Sequence, residues 1–288
     1  VSAKRRPLPL GPAVVGIVNV TPDSFSGDGL CAEPEAAVLH GLRLLADGAV
    51  ALDIGAESTR PGAAPVDPAE EQRRLLPVLR GLRARTDAPL SVDTRHAGVA
   101  EAALREGADI VNDVSMLHDP DMARVAARAG ATLVVMHSRG TPLDMAARAT
   151  YGDVVAEVCE ELDGALRRAV AQGVDRDRLV ADPGFGFAKT PLQGLELLRR
   201  LGELRALAPL LVGLSRKSLA GALISREGVV PPPRERVAAS IGLALAAVHL
   251  GASWVRVHDV RETAEALRAW TAVVARPAVR EEAACQRG

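Results

Sequence analysis

Short aliphatic runs alternate with longer amphipathic ones along most of the chain. The short runs stand at 14–20, 50–54, 90–94, 110–114, 132–137, 179–182, 210–214 and 254–258, and they predict eight strands. Each is followed by a stretch with helical periodicity, at 33–47, 68–85, 97–106, 121–129, 153–172, 192–204, 234–250 and 262–274. Gly48, Gly107, Gly130, Gly173 and Gly251 stand where helices should stop, since a helix end favours a residue that tolerates positive φ. Four of these stops open the same phrase: Gly48-Ala49, Gly107-Ala108, Gly130-Ala131 and Gly251-Ala252. The recurrence fits a repeated helix–strand unit.

Eight such units predict an α/β fold of the (β/α)8 class, a parallel sheet closed into a barrel and forming a single domain over 14–275. A doubly wound open sheet is the alternative. No GxGxxG follows the first run, which disfavours its dinucleotide-binding form. Residues 1–13 read as a lead-in, 276–288 as a polar tail, and 228–233 as a proline-rich loop.

Composition narrows the function classes. The chain has 288 residues, 48% hydrophobic and 25% charged, enough for a sizeable core, and with aromatics at 2% that core is aliphatic. Thirty-five basic residues against 36 acidic ones leave a formal charge of −1, which excludes a general nucleic-acid binder but not a local anion pocket. No apolar run is long enough for a membrane span, and the basic start lacks an apolar signal core. Cys31, Cys159 and Cys285 are far apart and odd in number, so no disulfide framework or zinc site is expected and a cytoplasmic location is. Lysine is scarce: only Lys4, Lys189 and Lys217 stand among the basic residues, so the two internal ones draw attention.

The candidate chemistry collects at the carboxyl ends of the predicted strands, where a parallel barrel places its active site. Asn19, Asp53, Asp93, Asn112 with Asp113, His137, Asp182, and Arg256 with His258 close seven of the runs, and the other leads directly into Ser215-Arg216-Lys217-Ser218. One polar residue in an aliphatic strand is ordinarily a satisfied structural group; a ring of them points to a site. Arg256 and His258 are two apart, so strand alternation sends both to one face, where together they suit an anion such as a diphosphate. The alternative is a surface Arg256–Asp259 pair. Asn19 shares parity with Val15 and Ile17 and is expected to look inward.

Residues 19–26 and 57–62 mix turn formers, hydroxyls and charge, as loops that close over a ligand do; ordinary turns with Ser24, Ser26, Ser58 or Thr59 as helix caps compete. Lys217 and Ser218 sit at a predicted helix start, which suits a carboxylate or phosphate, against capping beside a solvated lysine. Asp182 is followed by Phe185 and Phe187, which suits a flat heterocycle held by its edge, against simple loop packing.

Taken together these phrases resemble one family, dihydropteroate synthase, a pterin-binding TIM barrel. They are NVTPDSFS at 19–26, DIGAESTRPG at 53–62, SVDT at 91–94, VNDV at 111–114, VMH at 135–137, DPGFGFAKT at 182–190, SRKS at 215–218 and RVHDV at 256–260. The resemblance implies condensation of 6-hydroxymethyl-7,8-dihydropterin diphosphate with p-aminobenzoate, by a dissociative displacement in folate biosynthesis. It implies a pterin site of Asp93, Asn112, Asp182, Lys217 and Phe187, and a diphosphate site of Asn19, Arg256 and His258 with Mg²⁺ on Asn19. The p-aminobenzoate side would be Thr59, Arg60, Pro61, Phe187, Lys217 and Ser218. Asp93, Lys217, Arg256 and His258 would act in catalysis, and Asp53 would support the pterin floor. It further implies a homodimer and a site that sulfonamides address, whether as inhibitors or with the chain as a resistant homologue.

The chain departs from the family pattern in three places. The loop carboxylate Asp28 is displaced by one position, Ala188 stands where glycine is common, and Gln193-Gly194 replaces an asparagine phrase. A methyltetrahydrofolate-type methyltransferase domain and a catalytically silent paralogue are the competing functions. The first does not need TRPG, SRKS and RVHD together, and the second is disfavoured by the intact Asn19, Asp93, Asp182, Lys217 and Arg256.

Overall fold

The computed structural model describes residues 5–9, 11–21, 34–59 and 62–274. Among these, eight parallel strands run β1 (Ala13–Asn19), β2 (Ala51–Gly55), β3 (Leu90–Thr94), β4 (Ile110–Asp113), β5 (Thr132–Met136), β6 (Leu179–Asp182), β7 (Leu211–Val212) and β8 (Trp254–Val257). Neighbours in the sheet follow the order β6-β5-β4-β3-β2-β1-β8-β7, and a parallel bridge between Ala181 and Leu210 joins the two edges into a barrel. The doubly wound alternative is thereby excluded. The helices are α1 (Pro34–Ala46), α2 (Pro68–Arg83), α3 (Ala97–Arg105), α4 (Met122–Ala129), α5 (Val154–Ala171), α6 (Pro191–Arg199), α7 (Ser218–Leu223), α8 (Val237–His249) and α9 (Val260–Val274).

Strand alternation divides the aliphatic residues into two cores. Val15, Ala51, Ile110, Val134, Val180, Leu211 and Trp254 meet inside the barrel. Their neighbours in sequence, among them Val14, Leu52, Val111, Leu133, Val135 and Val255, face outward and pack with the helices in a second, larger cluster. Burying one such side chain stabilises by about 1.5–3 kcal/mol, and aliphatic residues on both faces explain why these strands read as continuous apolar runs.

The lead-in is not a loose segment where it is described. Leu8 is buried in the inner core, and the Pro9 carbonyl accepts from Trp254 Nε1 at 2.8 Å. Arg6 N donates to Asp109 Oδ1 at 3.0 Å, while Asp109 Oδ2 accepts from Arg83 at 2.7 Å and from Leu90 N at 3.2 Å. The chain thus plugs the interior of the barrel at its amino end.

Two of the predicted helical stretches include a 3-10 turn. The stretch 192–204 is α6 followed by a 3-10 turn, Leu201–Ala206, and β7 is followed by α7 before a second 3-10 turn, Pro233–Arg236, leads into α8. Pro231, Pro232 and Pro233 lack the amide hydrogens that a continuous helix requires. Ser58 and Thr59 do not cap α2; its cap is Asp67, whose side chain accepts from Ala69 N at 2.9 Å.

Candidate functional site at the carboxyl end of the barrel

The polar ring follows from the same alternation that built the inner core. Two residues beyond Ala51, Ile110, Val180 and Trp254, on the even-numbered strands, stand Asp53, Asn112, Asp182 and Arg256. Each therefore points inward, one layer above the apolar plug. Asp93 takes the equivalent place above Ser91 on β3. Asn19 ends β1 in register with Gly55, and Gly55 in turn pairs with Asp93.

Arg256 organises this layer. Its Nε donates to Asp53 Oδ2 at 2.5 Å and one terminal nitrogen donates to Asp93 Oδ2 at 2.7 Å, so a single planar guanidinium bridges two carboxylates. The surface pair with Asp259 does not form: Asp259 takes both of its contacts from Arg216, at 3.0 and 2.5 Å. Asp53 Oδ2 also accepts from Asn112 Nδ2 at 3.1 Å. That bond fixes the amide orientation and turns Asn112 Oδ1 away as a buried acceptor with no partner among the described residues; Asp53 Oδ1 likewise has none among them. Two orphaned acceptors in one buried layer call for donors from outside the protein. Burial raises Asp93 above the usual carboxylate range, while the Arg256 guanidinium in contact with it at 2.7 Å pulls it back toward the charged form.

Asp182, Lys217 and Phe187 form the adjoining part. Asp182 Oδ1 accepts from Gly184 N at 2.8 Å, and burial raises this carboxyl against the pull of Lys217. Lys217 Nζ donates to the Phe185 carbonyl at 2.7 Å and lies 4.8 Å from the centre of the Phe187 ring. Burial lowers its pKa to about 8. Phe185 is fully buried and serves the core, whereas Phe187 is half-buried and keeps a face for a ligand. Ser218 is exposed at the first position of α7, and Thr59 is half-buried in the loop after β2. Arg60, Pro61, Phe25 and Asp28 lie outside the described residues.

His258 lies just past the end of β8, where it contacts Ser215: Nδ1 and the hydroxyl are 3.0 Å apart, and His258 N donates to the same oxygen at 3.2 Å. Ser215, which the sequence marks only as the start of SRKS, thus fixes the imidazole beside Arg256.

Two members of the predicted ring are not in it. Asp113 and His137 have the opposite parity and point outward. Asp113 is buried and accepts from Ser115 Oγ at 2.6 Å and Leu117 N at 2.5 Å, shaping the turn after β4. His137 is buried between Lys189 and Glu161, at 2.8 and 3.1 Å. Burial and the Lys189 charge lower His137 to about 4, and its contact with His137 helps hold Glu161 at about 2. A histidine whose folded pKa lies below its unfolded value adds stability above pH ~6.5 that is lost as pH falls toward 4. The melting temperature is therefore expected to drop between pH 7 and 4, and to drop less steeply in His137→Phe, as followed by circular dichroism.

Ala188 adopts φ 48°, the left-handed region. This explains why glycine suits the position. Ala188→Gly is expected to raise stability by about 0.5–1 kcal/mol in urea denaturation, the relief of strain exceeding the added chain entropy.

For a metal, Asn19 offers one hard amide oxygen, while Asp53 and Asp93 are already held by Arg256. That donor set suits Mg²⁺ bound largely by substrate phosphates and water, with a single protein ligand. Among the described residues one cluster brings three candidate ligand residues together: Glu57, Glu71 and His96. Part of it braces the loop after β2, with His96 Nδ1 2.8 Å from Glu71 Oε2 and Val66 N donating to Glu57 at 3.1 Å, while Glu71 Oε1 has no partner among the described residues.

A family model described as pterin binding enzyme matches residues 15–258. Dihydropteroate synthase of Mycobacterium leprae is 48% identical over 260 residues, 88% of this chain and 91% of that protein. The solved dihydropteroate synthase of Xanthomonas albilineans in complex with 7,8-dihydropteroate is 44% identical with a TM-score of 0.82, covering 93% of this chain and 95% of that one. The Yersinia pestis enzyme in a sulfonamide complex is 41% identical with a TM-score of 0.87, covering 92% and 95%.

Proposed function

The chain belongs to the dihydropteroate synthase family of pterin-binding enzymes, in folate biosynthesis, and from that premise we propose how its barrel mouth divides the work. The observation that carries the reading is the single connected layer Asn112–Asp53–Arg256–Asp93, with Asp182 and Lys217 beside it. Asn112 Oδ1 and Asp182 present acceptors to the donor-rich edge of the pterin ring. Asp93, beside the ring, balances positive charge as it develops on the pterin methylene. The remaining edge of Arg256, together with His258 and Asn19, receives the diphosphate. Lys217, Ser218, Phe187 and Thr59, joined by Arg60 and Pro61, place p-aminobenzoate with its carboxylate toward the lysine and its ring on Phe187.

The bond from the methylene to the diphosphate oxygen breaks with its electron pair leaving on the diphosphate. The amine nitrogen then gives its lone pair to the methylene carbon to form the new bond, and the resulting ammonium releases a proton to water. Asn19 would hold Mg²⁺ together with the substrate, and the bound ion would supply charge neutralisation at the leaving group. The protein's own share is orientation and charge: a guanidinium at the leaving group, a carboxylate at the cation, and no nucleophilic side chain. We further propose a cytoplasmic homodimer whose p-aminobenzoate side is where sulfonamides compete.

The test is formation of 7,8-dihydropteroate from the pterin diphosphate and p-aminobenzoate, with and without Mg²⁺. Product that depends on both substrates and falls on chelation is expected. Pterin binding without product would instead make the chain a silent paralogue, and methyl transfer from a methylated folate would make it the methyltransferase type.

A pH profile gives a second check. Lys217 must be charged to receive a carboxylate, so kcat/KM for p-aminobenzoate is expected to fall as pH rises through about 8. In Lys217→Arg, whose charge persists, that alkaline limb is expected to disappear even though the rate is lower.

A further inference from the structure

Lys189 is the second scarce lysine, and nothing in the reaction above uses it. It is buried, and its ammonium sits among three acceptors: His137 Nδ1 at 2.8 Å, the Phe187 carbonyl at 3.0 Å and the Gly184 carbonyl at 3.2 Å. A lysine only donates in its charged form, so His137 Nδ1 accepts and the imidazole hydrogen lies on Nε2, directed to Glu161. Arg139 holds Glu161 from the other side and reaches Glu157 at 2.7 Å. The chain of contacts therefore runs from α5 through His137, past the end of β5, to the turn that follows β6.

That turn carries the functional atoms. Gly184 lies so close to His137 that a Cβ there would overlap the His137 carbonyl, and His137 N donates to the Asp182 carbonyl at 2.8 Å. Between the two carbonyls that Lys189 grips lies Phe185, whose own carbonyl holds Lys217 at 2.7 Å. Phe187, gripped directly, faces the Lys217 ammonium across 4.8 Å. One buried ammonium thus ties both ends of the segment 184–187 to the neighbouring strand, while its middle orients the lysine of the site.

We propose that Lys189, oriented by His137 and Glu161, is a positioning residue for p-aminobenzoate, setting where Phe187 and Lys217 stand without touching substrate. The proposal rests on the assignment of Phe187 and Lys217 to the p-aminobenzoate side. Lys189→Met keeps the length and removes the donor to His137 Nδ1 and the Phe187 carbonyl, and leaves the Gly184 carbonyl only its bond from Phe187 N among the described residues. The KM for p-aminobenzoate is expected to rise about tenfold, while kcat and the KM for the pterin diphosphate stay within about threefold.

A double-mutant cycle with Phe187→Ala separates positioning from general loosening. Phe187→Ala alone is expected to raise the KM for p-aminobenzoate about tenfold. If Lys189 acts through Phe187, the double variant remains near tenfold; independent effects would multiply to about a hundredfold and overturn the proposal. An unchanged p-aminobenzoate KM in Lys189→Met beside a raised one in Phe187→Ala overturns it too, with the site assignment standing. An unchanged KM in both variants removes the assignment and the proposal together. If Lys189→Met does not fold, His137→Phe enters the same cycle; it removes one of the three acceptors and is expected to act in the same direction, about threefold.

Discussion

Replacing Arg256 by alanine is expected to lower kcat/KM by about a hundredfold or more and to destabilise the fold by about 3–5 kcal/mol. The two losses share a cause. The guanidinium is the sole partner in the described layer that spans Asp53 and Asp93, at 2.5 and 2.7 Å, and without it two inward carboxylates are left close together in a desolvated layer. In the proposed mechanism the same deletion removes positive charge from the departing diphosphate, which affects the transition state more than the ground state. Lysine in this place keeps the charge but not the fork, so Arg256→Lys should recover part of the stability and little of the rate. Combining Arg256→Ala with Asp53→Asn should restore stability by removing one unpaired charge, and should leave the rate low. Urea denaturation beside steady-state kinetics on the three variants separates the two effects; near-native kinetics in Arg256→Ala would remove this residue from the mechanism.

The second large effect is expected at Asp182. Asp182→Ala should raise the KM for the pterin diphosphate by at least about tenfold, the cost of one charge-assisted hydrogen bond being about 1.5–3 kcal/mol. Because Asp182 Oδ1 also accepts from Gly184 N at 2.8 Å, alanine additionally loosens the turn that carries Phe187. Asp182→Asn keeps an oxygen for that amide while losing the negative charge. It should therefore restore the p-aminobenzoate KM but not the pterin KM. Equal recovery of both would mean that Asp182 acts on the turn alone.

The strands and the polar layer were legible because both follow from a period of two on aliphatic strands. β3 and β6 match their predicted bounds, and the others shift by a residue or so at an end. β7 shrinks to Leu211–Val212, since the chain turns at Gly213 toward Ser215 and α7. Parity also held the answer for Asp113 and His137. Counting from Ile110 and Val134, both fall on the outer face, so their place at strand ends did not make them part of the site. Asp53 has inward parity, yet its task of holding Asn112 and Arg256 at once depends on neighbours more than fifty residues away in sequence. Lys189 was conspicuous only for being a lysine in an arginine-rich chain. Its acceptors are two backbone carbonyls and a histidine from another strand, which no local pattern encodes. The loop before α8 was marked by Pro231–Pro233, but the brief α7 has too few turns to show a period.

The most direct measurement is a crystal structure with the pterin diphosphate soaked into the barrel mouth. The account predicts the ring edge on Asn112 Oδ1 and Asp182, Asp93 beside the ring, and the diphosphate against Arg256, His258 and Asn19. Density for the ring outside this layer, or phosphates facing Asp53 and Asp93 with Arg256 uninvolved, would contradict it.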